Sequence, residues 1–143
     1  MRALILAAGR GKRMKELTEN NPKCLTVFKS KPLIEWQIEA IKKLGIKEIA
    51  IVTGYRSEKL KKYNLVEFHN KRWDETQMVY SLKCATDWLK IEECLVSYSD
   101  IFYQSLFLRN LIEDQSDVAI SYDPNWLKIW EARFDNPLDD AES

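Results

Sequence analysis

Three observations predict an α/β fold built on a mostly parallel sheet. The first apolar run, Ala3–Ala8, is continuous rather than alternating, as a strand buried on both faces of a parallel sheet requires. Apolar stretches of strand length then alternate with stretches of helical spacing along the chain, which implies right-handed crossovers between parallel strands. Finally, 143 residues of which 45% are hydrophobic can bury one substantial core but not two comfortable ones, so residues 1–143 are expected to form a single domain.

The elements follow in order. After the first strand comes a loop rich in glycine and basic residues, then the short apolar stretch CLTVF at 24–28. Pro32 stands where a first helical turn begins; Ile34, Ile38 and Ile41, flanked by Leu33 and Leu44, give the apolar stripe, and Gly45 ends it. EIAIV at 48–52 is the next strand, closed by Thr53-Gly54. A short basic helix is expected over 57–63 and a strand over 65–69. Val79, Leu82, Thr86 and Leu89 space one helix, CLVSYS at 94–99 reads as a strand, LFLRNLIE at 106–113 as a helix and VAISY at 118–122 as a last strand. The tail from Asp123 carries Trp126 and Trp130 four apart, as on a helix, and closes in an acidic run.

Composition narrows the function classes. Lys plus Arg and Asp plus Glu stand at 22 each, so no global charge favours nucleic acid or an anionic membrane, and any basic function must be local. The first 31 residues supply it, with eight basic side chains against Glu16 and Glu19. Cys24, Cys84 and Cys94 are far apart and in no CxxC spacing, which argues against a disulfide scaffold or zinc site and for reduced thiols in a cytoplasmic protein. The N-terminal apolar run is too short for a signal peptide, and no later segment approaches a membrane span.

The loop after the first strand is the natural place for a ligand, because α/β sheets bind at the carboxyl ends of their strands. Gly9 and Gly11 let the backbone turn several N–H groups towards one anion; Arg13 adds a planar fork for phosphate oxygens and Lys23 a point charge. By themselves the two glycines fit a solvated basic loop equally well. No Gly-Lys-Ser/Thr closes a Walker A loop here, and Met14 occupies the place of the third glycine of a dinucleotide fingerprint.

The longer pattern LAAGRGKRM, Thr18 and PKCL resembles the signature loop of nucleotidyltransferases that activate phosphorylated small molecules. These are the sugar-1-phosphate nucleotidyltransferases and the cytidylyltransferases acting on phosphocholine, phosphonates or inositol phosphate. Gly9, Gly11, Arg13, Met14, Thr18, Pro22, Lys23 and Leu25 match it. KPLIEWQIEAIKKLGIKEIAIVTGY is similar to the family's next strand-helix-strand segment, with Ser30 where glycine is common. TQMVYSLKCA resembles the stretch lining the base pocket of phosphocholine-type enzymes, and VSYSDIFY the strand ending in a metal-binding Asp, with Ser99 in place of a frequent glycine. The tail is also similar to a family segment, so the likeness covers nearly the whole chain.

The resemblance implies a Rossmann-like nucleotidyltransferase fold, a mostly parallel sheet flanked by helices, truncated at the C-terminus. It implies transfer of a nucleotidyl group, CMP from CTP being favoured, to a small phosphorylated acceptor such as phosphocholine, a phosphonate or a sugar phosphate, with release of pyrophosphate. In that reading Arg13 holds the β- and γ-phosphates, Lys23 stabilises charge at the α-phosphate, and Asp100 binds Mg2+. Backbone groups near Ala7 and Ala8 meet the base, with Gln77 and Ser81 reading its edge. Plainer roles stand beside these: a surface lysine for Lys23, a helix N-cap for Asp100, an ordinary helix N-terminus for Gln77, and a structural role for His69. Trp73, Trp88, Trp126 and Trp130 suggest an aromatic cage, but packing accounts for them more simply. The family's second metal-binding Asp has no secure counterpart, Asp139 and Asp140 lying in a segment that matches an earlier part of the family. The alternatives are a non-catalytic nucleotide-binding or assembly module, or a sugar-1-phosphate enzyme using another nucleotide. An unpaired sheet edge would favour a homo-oligomer.

Overall fold

The computed structural model describes residues 1–139; Asp140 and the side chain of Asp139 lie outside what it describes. The chain divides into two compact units, Met1–Ile112 and Glu113–Ser143.

The first unit is built on β1 (Arg2–Ala7), β4 (Ile49–Thr53), β5 (Val66–His69) and β6 (Cys94–Tyr98), in the order β5-β4-β1-β6 and parallel throughout. β1 is central, Leu4 standing opposite Ala50 on one side and Val96 on the other. The continuous apolar run finds its reason here, since successive β1 side chains enter two different cores. Ala3, Ile5 and Ala7 join Ile49 and Ile51 against Ile34, Ile38 and Ile41 of α1 (Leu33–Lys43). Leu4 and Leu6 join Ala50 and Val52 against Leu82 of α2 (Met78–Cys84) and Trp88 of α3 (Thr86–Leu89). Both faces are covered, as a parallel sheet demands.

α1 begins after Pro32 and ends as expected, the chain turning at Gly45 with φ +83°. Ahead of it CLTVF contributes a small antiparallel hairpin, β2 (Val27–Phe28) with β3 (Lys31–Pro32). The helix α4 (Ser105–Glu113) closes the first unit, its Leu108 buried in the α1-side core.

Three expectations need correction. Residues 57–63 form two 3-10 turns, Ser57–Lys59 and Lys61–Tyr63, bounded by left-handed Arg56 and Asn64 (φ 50° each), which stop the segment from continuing as an α-helix at either end. The helix expected over 79–89 is two, because Ala85 leaves helical geometry (φ −105°, ψ 22°) while the Thr86 hydroxyl donates to the Lys83 carbonyl at 2.6 Å. VAISY at 118–122 is no strand: Val118, Ile120 and Tyr122 are 78–85% exposed. Alternation satisfies the pattern of a strand, but only a paired edge makes one. The second unit contains α5 (Trp126–Glu131), in which Trp126 and Trp130 stack edge-on at 6.5 Å and Phe134 follows at 6.4 Å from Trp130. No helix among the described residues is long and apolar enough to cross a membrane.

Candidate functional site

The ends of β1, β4, β5 and β6 gather the expected site residues along one edge of the sheet. The loop after β1 is tightly folded. Gly11 is left-handed (φ 74°, ψ 51°), and a Cβ placed there would lie 2.9 Å from Lys23 Cδ and 3.1 Å from its Cβ and Cγ, so a side chain would strain the backbone and push the Lys23 stem aside. Thr18, fully buried, donates its hydroxyl to the Gly11 carbonyl at 2.9 Å, and the Met14 amide donates to the same oxygen, also at 2.9 Å. A 3-10 segment, Lys12–Thr18, carries Arg13 on the exposed surface. At Gly9 an added Cβ would meet nothing within 4 Å.

Pro22 is fully buried and starts the short 3-10 turn Lys23–Leu25, which sends adjacent side chains in opposite directions. Cys24 enters the α1-side core, and burial pushes its thiol up to about 12. Lys23 instead reaches across to form an ion pair with Asp100, two residues beyond β6. Both side chains keep about 30% of their surface exposed (30% and 29%). The segment holding Asp100 is pinned from below by Gln37, a fully buried α1 residue. Its Nε2 donates to the carbonyls of Tyr98 (2.8 Å) and Ile101 (2.6 Å), while the Ser99 amide donates to the Leu6 carbonyl at 3.1 Å. Asp100 is not a helix cap, since α4 begins only at Ser105.

Mg2+ takes oxygen ligands and commonly binds through one or two carboxylates completed by phosphate and water. Asp100 offers one such carboxylate, partly open to solvent, and no group of three or more His, Cys, Asp or Glu among the described residues could hold a metal. This donor set fits an ion that arrives with a phosphate ligand, not one held in a protein cage.

On the other side of the edge the buried polar groups are neutral. Ala7 and Ala8 are buried, and the Ala8 carbonyl accepts the Tyr55 amide at 2.9 Å. Gly54 allows this close approach: a Cβ there would lie 2.6 Å from that carbonyl oxygen and 2.5 Å from Trp73 Cβ. Gln77 is exposed at the N-cap position of α2 with no side-chain cap bond, whereas Ser81 is 6% exposed. α2 spans this edge, for Met78 meets the hydroxyl of Tyr98 on β6 and Ser81 meets Asn70, the residue after β5.

Sequence reading passed over Asn70, Gln37 and Arg10. Asn70 is 0% exposed; its Nδ2 donates to the hydroxyls of Thr76 and Ser81, each at 3.0 Å, and its Oδ1 accepts the Arg72 amide at 2.9 Å. Arg10 lays its guanidinium over the Tyr55 ring at 5.5 Å, and its buried Nε has no partner among the described residues. Its place within the glycine-rich loop was the available signal. His69 ends β5 with Nδ1 3.0 Å from the Thr53 hydroxyl, which donates to Glu67. The tryptophans of the first unit pack: Trp88 lies in the core beneath the Arg2 guanidinium (4.3 Å), and Trp73 lies against Tyr55 (5.1 Å).

These features sit in a chain with clear relatives. It is 41% identical to the CTP:phosphoglutamine cytidylyltransferase of Campylobacter jejuni, over all of this chain and 60% of that protein. A solved structure of the CTP:phosphocholine cytidylyltransferase from Streptococcus pneumoniae superposes with a TM-score of 0.64 at 36% identity, over 73% of this chain and 49% of that one. The inositol-1-phosphate CTP transferase of T. maritima shares the fold (TM-score 0.70, 20% identity, 81% of this chain and 49% of that one). The chain therefore spans between about half and three fifths of the length of these proteins. The profile of the MobA-like NTP transferase domain matches residues 3–134, and the chain belongs to that family.

Proposed function

We propose that the chain carries the nucleotide-binding side of a Mg2+-dependent nucleotidyltransferase that passes CMP from CTP to a small phosphorylated acceptor. The observation that carries this reading is the meeting of Lys23 with Asp100 at the C-terminal ends of neighbouring strands, directly beside the glycine-rich loop. The names of the relatives support cytidine as the base and a phosphorylated small molecule as the acceptor.

In the reaction a phosphate oxygen of the acceptor attacks the α-phosphorus of CTP. A new P–O bond forms as the bond to the oxygen bridging the α- and β-phosphorus breaks, and pyrophosphate leaves with that electron pair. No covalent enzyme intermediate is needed, so the protein's work is alignment and charge neutralisation. Arg13 holds the β- and γ-phosphates with the loop amides around Gly9–Gly11, and the open space beside Gly9 lets phosphate approach the backbone. Lys23 offsets the charge that develops at the α-phosphate. Asp100 would hold the Mg2+, which when bound would neutralise phosphate charge. Ala7, Ala8, Gln77 and Ser81 meet the base.

Calorimetric titration with CTP, UTP, GTP and ATP in Mg2+ tests the binding half of this reading. Selective CTP binding that is lost in Arg13→Ala supports it, and absence of binding to every nucleotide overturns it. Pyrophosphate release with CTP and phosphocholine, or another small phosphorylated acceptor, separates a transferase from a module that only binds nucleotide.

A further inference from the structure

The orientation of the Asn70 amide is set by its surroundings. A backbone N–H can only donate, so the Arg72 amide at 2.9 Å identifies the atom it meets as Oδ1. Nδ2 must then face the Thr76 and Ser81 hydroxyls, each 3.0 Å away. The Thr76 proton is already committed to the Arg72 carbonyl at 2.6 Å. Ser81, in contrast, accepts from Asn70 and has its own proton uncommitted among the described residues. It is a buried hydroxyl whose proton can be given to a bound ligand.

We propose that Asn70 is a positioning residue that commits the Ser81 hydroxyl to donate to the nucleotide base, and so selects a base whose ring nitrogen is an acceptor over one whose ring nitrogen carries a proton. This rests on the nucleotide-binding reading above and deepens it. Cytosine presents an unprotonated N3 and gains the bond. Uracil presents N3–H, and Ser81 can accept from it only by turning its proton away, so the donor bond that cytosine receives is lost. Asn70 is itself held in place: its backbone N–H donates to the Thr53 carbonyl at 2.8 Å, which fixes the network to the end of β4.

The test is the ratio of CTP to UTP affinity, measured by calorimetry on the purified chain and its variants. Ser81→Ala removes the donor. Asn70→Asp replaces the donating Nδ2 by an oxygen which, as a carboxylate, accepts the Ser81 proton and withdraws it from the base. Each variant is expected to lower the CTP:UTP affinity ratio by about tenfold, chiefly by weakening CTP. The double variant is expected to lower it no further than either single one. A purely structural Asn70 weakens both nucleotides alike and leaves the ratio unchanged, and that result overturns the proposal. Should Asn70→Asp fail to fold, an unchanged ratio in Ser81→Ala overturns it alone. Failure of the wild-type chain to bind any nucleotide overturns instead the reading on which it rests, and the proposal with it.

Discussion

On the β1–β6 side of the sheet edge the polar groups are charged and half-open to solvent, and they meet as an ion pair between Lys23 and Asp100. On the β4–β5 side the buried polar groups Asn70 and Ser81 are neutral, and they meet with the partly buried Thr76 in one network. The first arrangement suits a polyanion, whose charge is large and is neutralised by flexible cations at modest cost in fold stability. The second suits a flat, uncharged ring whose donor and acceptor pattern must be read by groups that cannot turn. In the proposed function, phosphate affinity and base choice would fall to different sides of one edge.

The largest expected effect breaks the two sides apart. Lys23→Ala is expected to lower the rate of pyrophosphate release by about 10²–10³-fold, the usual loss when one preorganised charge at a developing anion is removed. Thermal stability should barely change, because half-exposed ion pairs contribute about 0–1 kcal/mol. Asn70→Leu should do the reverse to the fold. It leaves the Thr76 and Ser81 hydroxyls and the Arg72 amide without their buried partner, at about 1–3 kcal/mol, visible as a lower urea midpoint. Equal stability losses in the two variants would show that the sides do not differ as drawn.

A smaller effect sharpens the charged side. Gly11→Ala puts a Cβ at left-handed φ and within 2.9 Å of Lys23 Cδ, so about 1–2 kcal/mol of stability should be lost. The same displacement moves the Lys23 stem and should weaken CTP binding. Unaltered affinity in a folded Gly11→Ala chain would mean that the stem is not held by the loop.

The contrast also explains what could be read from the sequence. All of the charged side but Asp100 is written within one stretch, LAAGRGKRM to PKCL, so Gly9, Gly11, Arg13 and Lys23 stand out from the order of residues alone. The strands and the α1 stripe are legible for a similar reason, being local periodicities. The neutral side is spread over the end of β5, a loop and α2; Ser81 stands out within TQMVYSLKCA, but nothing in the order of residues singles out Asn70 or Thr76. Gln37 is the sharper case. It lies among Ile34, Ile38 and Ile41 on the apolar face of α1, where a polar residue reads as a blemish. Its use is decided by the carbonyls of Tyr98 and Ile101, more than 60 residues away. VAISY failed in the opposite direction: the pattern was present, and the pairing that makes a strand was not.

The smallest expected effect concerns Cys24, which shares a turn with Lys23 yet belongs to the core. Burial raises its thiol from 9.0 to about 12, and the nearby Asp100 charge adds to the shift in the same direction. Once pH passes 9, an exposed thiol in the unfolded chain loses a proton that the folded chain retains. The unfolded state then binds fewer protons, so stability falls as pH rises from 9 towards 12, with a limiting slope of about 1.4 kcal/mol per pH unit for one thiol. Cys94, raised by burial to about 11, adds a second and narrower contribution of the same sign. Urea midpoints taken from about pH 8 to pH 10.5 should therefore decline more steeply in the wild-type chain than in Cys24→Ala. The variant starts lower because of the space it leaves, but only the slope carries the titration. Identical slopes would mean that Cys24 can ionise in the folded chain, and that the core beneath Lys23 admits more water than its packing indicates.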